Sequence, residues 1–190
     1  MTVFAVVGHA AVTEGNFNLN DMPGSAGRMD VLCRCVNAAL FLSHDLRRDT
    51  GCYLVLNGPP NPPKTILFSG DRIRSLNPDE RSPGALIRKA LLVTCGRDFR
   101  ESTPGVSIRR GGLPELLDEH AFAVLDESGD DIRGESILPE ALLLSDHQNL
   151  TREESELTAE CPRFSVGPIS LHADHAITVF LNERDRRCRR

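Results

Sequence analysis

The stretch AFAVLDESGDDIRGESILPEALLLSDHQNL, residues 121–150, contains two continuous apolar runs, 121–125 and 141–144. Runs of four or five apolar residues without alternation are what strands buried on both faces show, and such strands belong to parallel sheets covered by helices. Each run ends in polar residues, Asp126-Glu127-Ser128-Gly129 and Ser145-Asp146-His147. Working outward, 3–7, 52–56, 65–68 and 106–109 read as further extended segments. From Arg28 to about Arg47 the residues Val31, Leu32, Cys35, Ala39, Leu42 and Leu46 recur at three and four, which predicts an amphipathic helix. Pro83 opens a helix over 83–95, and 114–120 forms a short one. Thr151 followed by Glu154 is a capping box for a helix running to about Glu160. Ala173, Ala176, Ile177, Phe180 and Leu181 give a terminal amphipathic helix. Strands alternating with helices predict an α/β fold with a mostly parallel central sheet flanked by helices.

At 190 residues and 40% hydrophobic composition, the chain is long enough for one well-buried core, so a single domain is expected over 1–190. No apolar run exceeds five residues, far short of the roughly 20 that a membrane helix needs. The N-terminus MTVFAVVGHAAV carries no cation ahead of its apolar stretch, so it reads as a first strand and not as a secretory signal. A soluble, cytoplasmic protein without a membrane partner is expected.

The net charge of -5 conceals a pattern. Residues 1–110 carry 14 Lys or Arg against 10 Asp or Glu, residues 111–183 carry 3 against 16, and residues 184–190 carry 5 against 1. Of the 22 cations only Lys64 and Lys89 are lysines, so the positive charge sits in the side chain best shaped for bidentate phosphate contacts. Basic surface at both ends suits a polyanion, although charge runs also simply solubilise. The six cysteines, at 33, 35, 52, 95, 161 and 188, include no C-x-x-C pair; free thiols are expected, with neither zinc nor a disulfide framework.

In an open parallel sheet, ligands bind beyond the carboxyl ends of the strands. Loops 126–129, 145–150 and 165–172 qualify, and they share one acidic region. There is no G-x-G-x-x-G after a strand and no G-x-x-x-x-G-K-S/T, so a cationic or zwitterionic ligand fits better than one with several phosphates. His172 and His175 stand at i and i+3 like a metal pair, but no third ligand has suitable spacing, and no metal is expected. Asp146-His147 reads equally as an acid–base pair and as a loop-fixing pair. The loop 23–27 leading to Arg28 places backbone N–H groups and an arginine at a helix N-terminus, a natural phosphate site. Asp30 and Arg34, one turn apart, can pair.

Several segments go beyond pattern. DMPGSAGRMDVLCRC at 21–35, LFLSHDLRRD at 40–49, GPPNPP at 58–63, NPDER at 77–81, STPG with RR at 102–110, SDH at 145–147 and SVGPISLHADHAIT at 165–178 together resemble the archaeal tRNA (pseudouridine-54 N1)-methyltransferases, the TrmY family of the SPOUT class. The resemblance runs in order from residue 1 to about 182. It implies methyl transfer from S-adenosylmethionine to N1 of pseudouridine 54 in the tRNA T-loop, a SPOUT-type fold with a C-terminal trefoil knot and cofactor region over about 121–185, and a homodimer. The alternatives are a ribosomal-RNA pseudouridine N1-methyltransferase and an RNA-binding relative without catalysis.

Carried over by position, the resemblance implies a cofactor pocket of Leu125, Ser145, Val166, Gly167, Pro168, Ile169, Ser170, Leu171 and Ala176. Two positions depart from the family's habit: Ser145 stands where Gly is usual, and Ala176 where Cys is common. The N1 proton must leave as the methyl arrives, and a carboxylate held by arginines can accept it or orient the base. Asp30 is the expected group, with Arg28 beside it. Arg28, Arg34, Arg47, Arg48, Arg109, Arg110 and the C-terminal arginines are expected on RNA phosphates.

Overall fold

The computed structural model describes residues 1–188. Eight strands form one sheet in the order β4-β5-β3-β2-β1-β7-β6-β8. Its centre is β1 (Thr2–Gly8), parallel to both β2 (Thr50–Leu56) and β7 (Ala141–Ser145). β6 (Phe122–Asp131) lies parallel to β7 and to β8 (Arg163–Ser165). On the other side, β3 (Lys64–Ser69), β5 (Val106–Arg110) and β4 (Arg100–Thr103) add antiparallel pairings. The sheet is therefore mixed, and its parallel part carries the segments 126–129, 145–150 and 165–172. Two antiparallel pairings arise where connections are too short for a crossover: β2 returns as β3 through the Gly58–Pro63 turn, and β4 returns as β5 through Pro104-Gly105, with Gly105 at φ +80°.

Strand alternation sorts the core into two layers. Phe4 and Val6 face a cluster with α2 (Met29–Leu40), α3 (Arg81–Leu91) and α6 (Ala173–Cys188). Val3, Ala5 and Val7 face a smaller cluster with Leu113 and Leu116 of α4 (Leu113–Glu119). Phe4 and Phe180 meet edge to face across the first layer, with centroids 5.8 Å apart. Every residue of β1 and β2 is buried, which explains their unbroken apolar reading.

Several boundaries differ from expectation. The helix opened by Arg28 stops at Leu40, because Phe41 turns extended and bridges Leu46, closing a loop that returns the chain to β2. The Pro83 helix spans Arg81–Leu91, with Pro83 inside its first turn, where a missing N–H costs no intrahelical bond. β6 continues through 126–129, the segment expected as a loop, with a shifted register against β8 between Leu125 and Asp130. Residues 22–25 form one helical turn, α1 (Met22–Ser25), instead of an open cradle. The Asp21 side chain takes the Gly24 N–H, and the N–H groups of Ser25, Ala26 and Arg28 go to Asp21, Met22 and Pro23 carbonyls. The N–H groups of Gly24, Ser25, Ala26 and Arg28 are thus spent inside the turn and are not held open for a phosphate as expected.

The capping box at Thr151 is formed, and α5 (Arg152–Leu157) ends one turn earlier than expected. Thr151→Ala removes the hydroxyl that accepts the Glu154 N–H. It is expected to cost about 1 kcal/mol, read as a lower urea midpoint at unchanged slope.

Candidate functional site

The parallel strands deliver their carboxyl ends to one rim. β6 carries Asp126 and Glu127 midway along its length, β7 ends at Ser145, and β8 ends at Ser165 before the segment that enters α6. These segments enclose a cavity of about 470 Å³, lined on one side by Leu125, Asp126 and Glu127, on another by Ser145 to Leu150, and closed by Ser170 to Ala173 and Ala176. A shallower recess of about 40 Å³ continues beside it, lined by Val166, Gly167 and Ile169 and sharing Leu125, Ser170, Leu171 and Ala176. Of the nine residues expected to hold a cofactor, eight thus line one continuous depression; Pro168 sits in the same loop but lines neither part. The loop braces itself, since the Ser165 hydroxyl donates to the Gly167 carbonyl at 2.5 Å and accepts the Gly167 N–H at 3.1 Å.

The cavity is anionic. Asp126 is held below the usual carboxylate range, chiefly by the Ser128 hydroxyl and N–H that bond its Oδ1. Arg163 sits 3.2 Å from its other oxygen. Asp146 lies deeper, and burial pushes its carboxyl up, but the bonds from His9 and from the Gln148 N–H outweigh this and leave it lowered. Fixed negative charge beside the leucine walls of Leu125 and Leu144 suits a ligand with a cationic centre, and nothing here neutralises a row of phosphates. The volume falls in the range of small-molecule sites.

Next to this cavity stands a second charged group. Asp30 is buried, 4% exposed, and both its oxygens are taken: Arg28 Nε and Nη2 each lie 3.0 Å away, and Arg34 Nη1 approaches at 3.0 Å. Burial pushes the Asp30 carboxyl up, but the two guanidiniums outweigh it and leave it below the usual range. A carboxylate so held is a weak base, so the geometry favours positioning over proton abstraction. Arg34 also reaches Glu80 at 3.1 Å and comes within 3.8 Å of Asp174, on the first turn of α6 beside the cavity wall residues Ala173 and Ala176. Arg28 is close enough to Asp146 to feel its charge. The Asp30 cluster is therefore joined to the cavity from both sides.

Arg28 owes its aim to an uncommon backbone: it is the N-cap of α2 at φ 64°, left-handed although it bears a side chain. Left-handed non-glycine residues cost free energy and concentrate at functional sites.

The expected RNA arginines divide. Arg109 is 6% exposed, paired with Glu119 and seated 4.3 Å over the Phe99 ring. Arg47 forms a two-point pair with Asp185 at 2.9 and 2.6 Å. Both guanidiniums are paired within the fold, so either would have to leave its partner to reach a phosphate. Arg48 gives Nη1 to the Gly70 and Ile73 carbonyls at 3.1 and 3.0 Å but keeps half its side chain exposed, and Arg110 is exposed. In the tail, Arg184 pairs with Asp49, Arg187 bonds Glu183 and the Glu135 and Ile132 carbonyls, and Arg186 is exposed. Arg189 and Arg190 lie outside the described residues.

His172 and His175 stack ring edge to face at 5.8 Å on the exposed side, and among the described residues no group of three or more metal-ligating side chains is assembled. The thiols of Cys33, Cys35 and Cys52 are buried and free. Sequence reasoning did not single out His9 or Asn57, and it read Glu154 only as a capping residue. His9 follows the carboxyl end of β1, and that position beside the ligand rim was the one available signal.

The family model described as "Putative SAM-dependent RNA methyltransferase" matches residues 1–188. A relative from Methanocorpusculum labreanum, named tRNA (pseudouridine(54)-N(1))-methyltransferase, is 60% identical over 98% of both chains. Relatives with the same name from Methanospirillum hungatei and Haloferax volcanii are 50% and 48% identical, covering 98% and 97% of this chain and 97% and 96% of theirs. The crystal structure of Archaeoglobus fulgidus Nep1 bound to S-adenosylhomocysteine shares the fold, with a TM-score of 0.65 at 14% identity over 100% of this chain and 99% of that one. With its whole described length matched, the chain belongs to this family of SAM-dependent RNA methyltransferases.

Proposed function

We propose that the protein transfers the methyl group of S-adenosylmethionine to N1 of pseudouridine 54 in tRNA, giving N1-methylpseudouridine. The observation that carries this reading is the 60% identity, over 98% of both chains, to a relative named for that reaction. With it go a single SPOUT domain, a C-terminal trefoil knot, a homodimer and a cytoplasmic setting. Ile169, Leu171 and Val179, all exposed in one copy, supply apolar surface that a second copy would cover.

When bound, S-adenosylmethionine supplies an electrophilic methyl on a sulfonium. Leu125, Leu144 and Ala176 offer it apolar walls, Asp126 and Asp146 fixed negative charge, and segment 166–171 backbone donors and acceptors. Ser145, half-buried on the wall, adds a hydroxyl at that position. Asp30 holds Arg28 and Arg34 beside this cavity, where they orient the base and its phosphates. Much of the rate then comes from placing N1 in line with the methyl. The target base must leave the folded T-loop to arrive there. Arg48, Arg110 and Arg186 grip the backbone.

The test mixes the protein with labelled S-adenosylmethionine and tRNA carrying uridine or pseudouridine at position 54. Label is expected only in the pseudouridine form; label in the uridine form, or in neither, refutes the assignment. Five arginines on phosphates, Arg28, Arg34, Arg48, Arg110 and Arg186, predict that tRNA affinity falls as salt rises, with a log–log slope of about -4, measured by filter binding.

A further inference from the structure

We infer that His9 is a positioning residue of the cofactor cavity, holding the segment after β7 in its ligand-receiving shape through Asp146 and Glu154. The inference rests on the assignment of that cavity to S-adenosylmethionine. His9 follows the last residue of β1 and does not itself line the cavity, whereas residues 145–150 do, together with Ser155 of α5. Its backbone N–H lies 3.0 Å from Asp146 Oδ2, its Nδ1 2.8 Å from Asp146 Oδ1, and its Nε2 2.9 Å from Glu154 Oε2. A neutral imidazole donates through one nitrogen only, so two carboxylate partners at one ring require the imidazolium.

The remaining bonds make this a crosslink of whole elements. Asp146 Oδ1 also accepts the Gln148 N–H at 3.0 Å. Glu154 Oε2 accepts the Thr151 N–H at 2.8 Å and its hydroxyl at 3.0 Å, and Oε1 takes the Asn57 amide, just past β2, at 3.2 Å. One cation therefore ties the ends of β1 and β7 to the first turn of α5, across 137 and 145 residues of chain. Such a tie fixes the flank of the cavity that the loop after β7 forms.

The groups facing His9 are Asp146, Glu154, His147, which sits 3.3 Å from Asp146, and Arg28, whose charge reaches Asp146. The Asp146 bond raises His9 to about 9 against the opposing pull of burial, and Glu154 adds to the rise. The crosslink is complete at neutral pH. Above about 9 the ring loses its proton, and one carboxylate loses its donor.

The experiment titrates S-adenosylmethionine calorimetrically into the full-length protein and its His9→Gln and Glu154→Gln variants between pH 7 and 10, with circular dichroism to establish folding. KM and kcat are measured alongside. His9→Gln is expected to bind about tenfold more weakly at pH 7.5, the weight of one charge-assisted hydrogen bond. Its KM for the cofactor rises while kcat on saturating cofactor stays within about threefold, the pattern of lost uniform binding. The wild-type affinity steps down through pH 9, Glu154→Gln moves that step to lower pH, and His9→Gln lacks it. The ligand's own amino group titrates in all three and cancels from the comparison. A folded His9→Gln that binds within twofold of wild type overturns the inference alone. If His9→Gln does not fold, the Glu154→Gln comparison decides, and an unmoved step overturns it. A wild-type protein that binds no cofactor at any pH overturns the cavity assignment, and this inference falls with it.

Discussion

Asp30→Ala is expected to lower methyl transfer to tRNA by about two orders of magnitude, the scale set by misplacing reacting groups by roughly 1 Å. The carboxylate is the shared anchor of Arg28 and Arg34, so its removal releases both guanidiniums at once. Removing one partner of a buried ion cluster costs about 3–5 kcal/mol. Arg28 and Arg34 reach solvent, at 40% and 31% side-chain exposure, and can rehydrate, which places this loss near the low end, at about 3 kcal/mol. Asp30→Asn separates the two roles. Asparagine keeps an acceptor for a guanidinium but cannot take a proton. A positioning role predicts activity well above that of Asp30→Ala, whereas equal loss in both variants, with cofactor binding intact, identifies Asp30 as the proton acceptor. The lowered Asp30 carboxyl also sets a pH dependence. A depressed acid contributes stability above its unfolded value, and that contribution is lost as pH falls through the folded one. Wild type is therefore expected to lose more stability than Asp30→Asn on acidification below the ordinary aspartate range, seen in melting temperatures measured across that interval.

Gly27→Ala is expected to unfold the N-terminal part of the site or to destabilise the whole protein by about 3 kcal/mol or more. Gly27 has φ +61°, and a Cβ built on it would stand 1.7 Å from the Ala10 carbonyl oxygen, so backbone must move. That carbonyl belongs to the segment following His9, and Gly27 precedes Arg28, so the shift strikes both the His9 crosslink and the aim of Arg28. Denaturant melts and cofactor titration are expected to fail together. A soluble Gly27→Ala protein with wild-type midpoint and affinity would show that the close approach to Ala10 is not required.

The rim segment 145–150 was legible because it follows the apolar run 141–144, whose pattern requires no partner to interpret; 126–129 was placed at the site but read as a loop where β6 continues. Leu125, Ser145 and Ala176 were carried over by resemblance, and all line the cavity. Arg47 and Arg109 were read as facing phosphates because an arginine looks the same in sequence whether it meets solvent or a carboxylate of its own chain; Glu119 stands ten residues from Arg109 and Asp185 stands 138 from Arg47. In the antiparallel half of the sheet β3 and β5 were read as extended segments, whereas β4 went unread because it is short and carries only exposed or half-buried residues, with no apolar pattern to reveal it.

By itself, then, the sequence determined the alternation of strands and helices, the rim where a cationic ligand is expected, the absence of the usual nucleotide-binding motifs and the local Asp30–Arg34 pair, since periodicity, motifs and helical spacing depend only on neighbours in the chain. Tertiary structure decided which of the remaining charges are spent. The His9–Asp146–Glu154 tie and the Arg47–Asp185 pair depend on distances and desolvation between elements, and the first arises only when the sheet brings the ends of β1 and β7 and the start of α5 to one place.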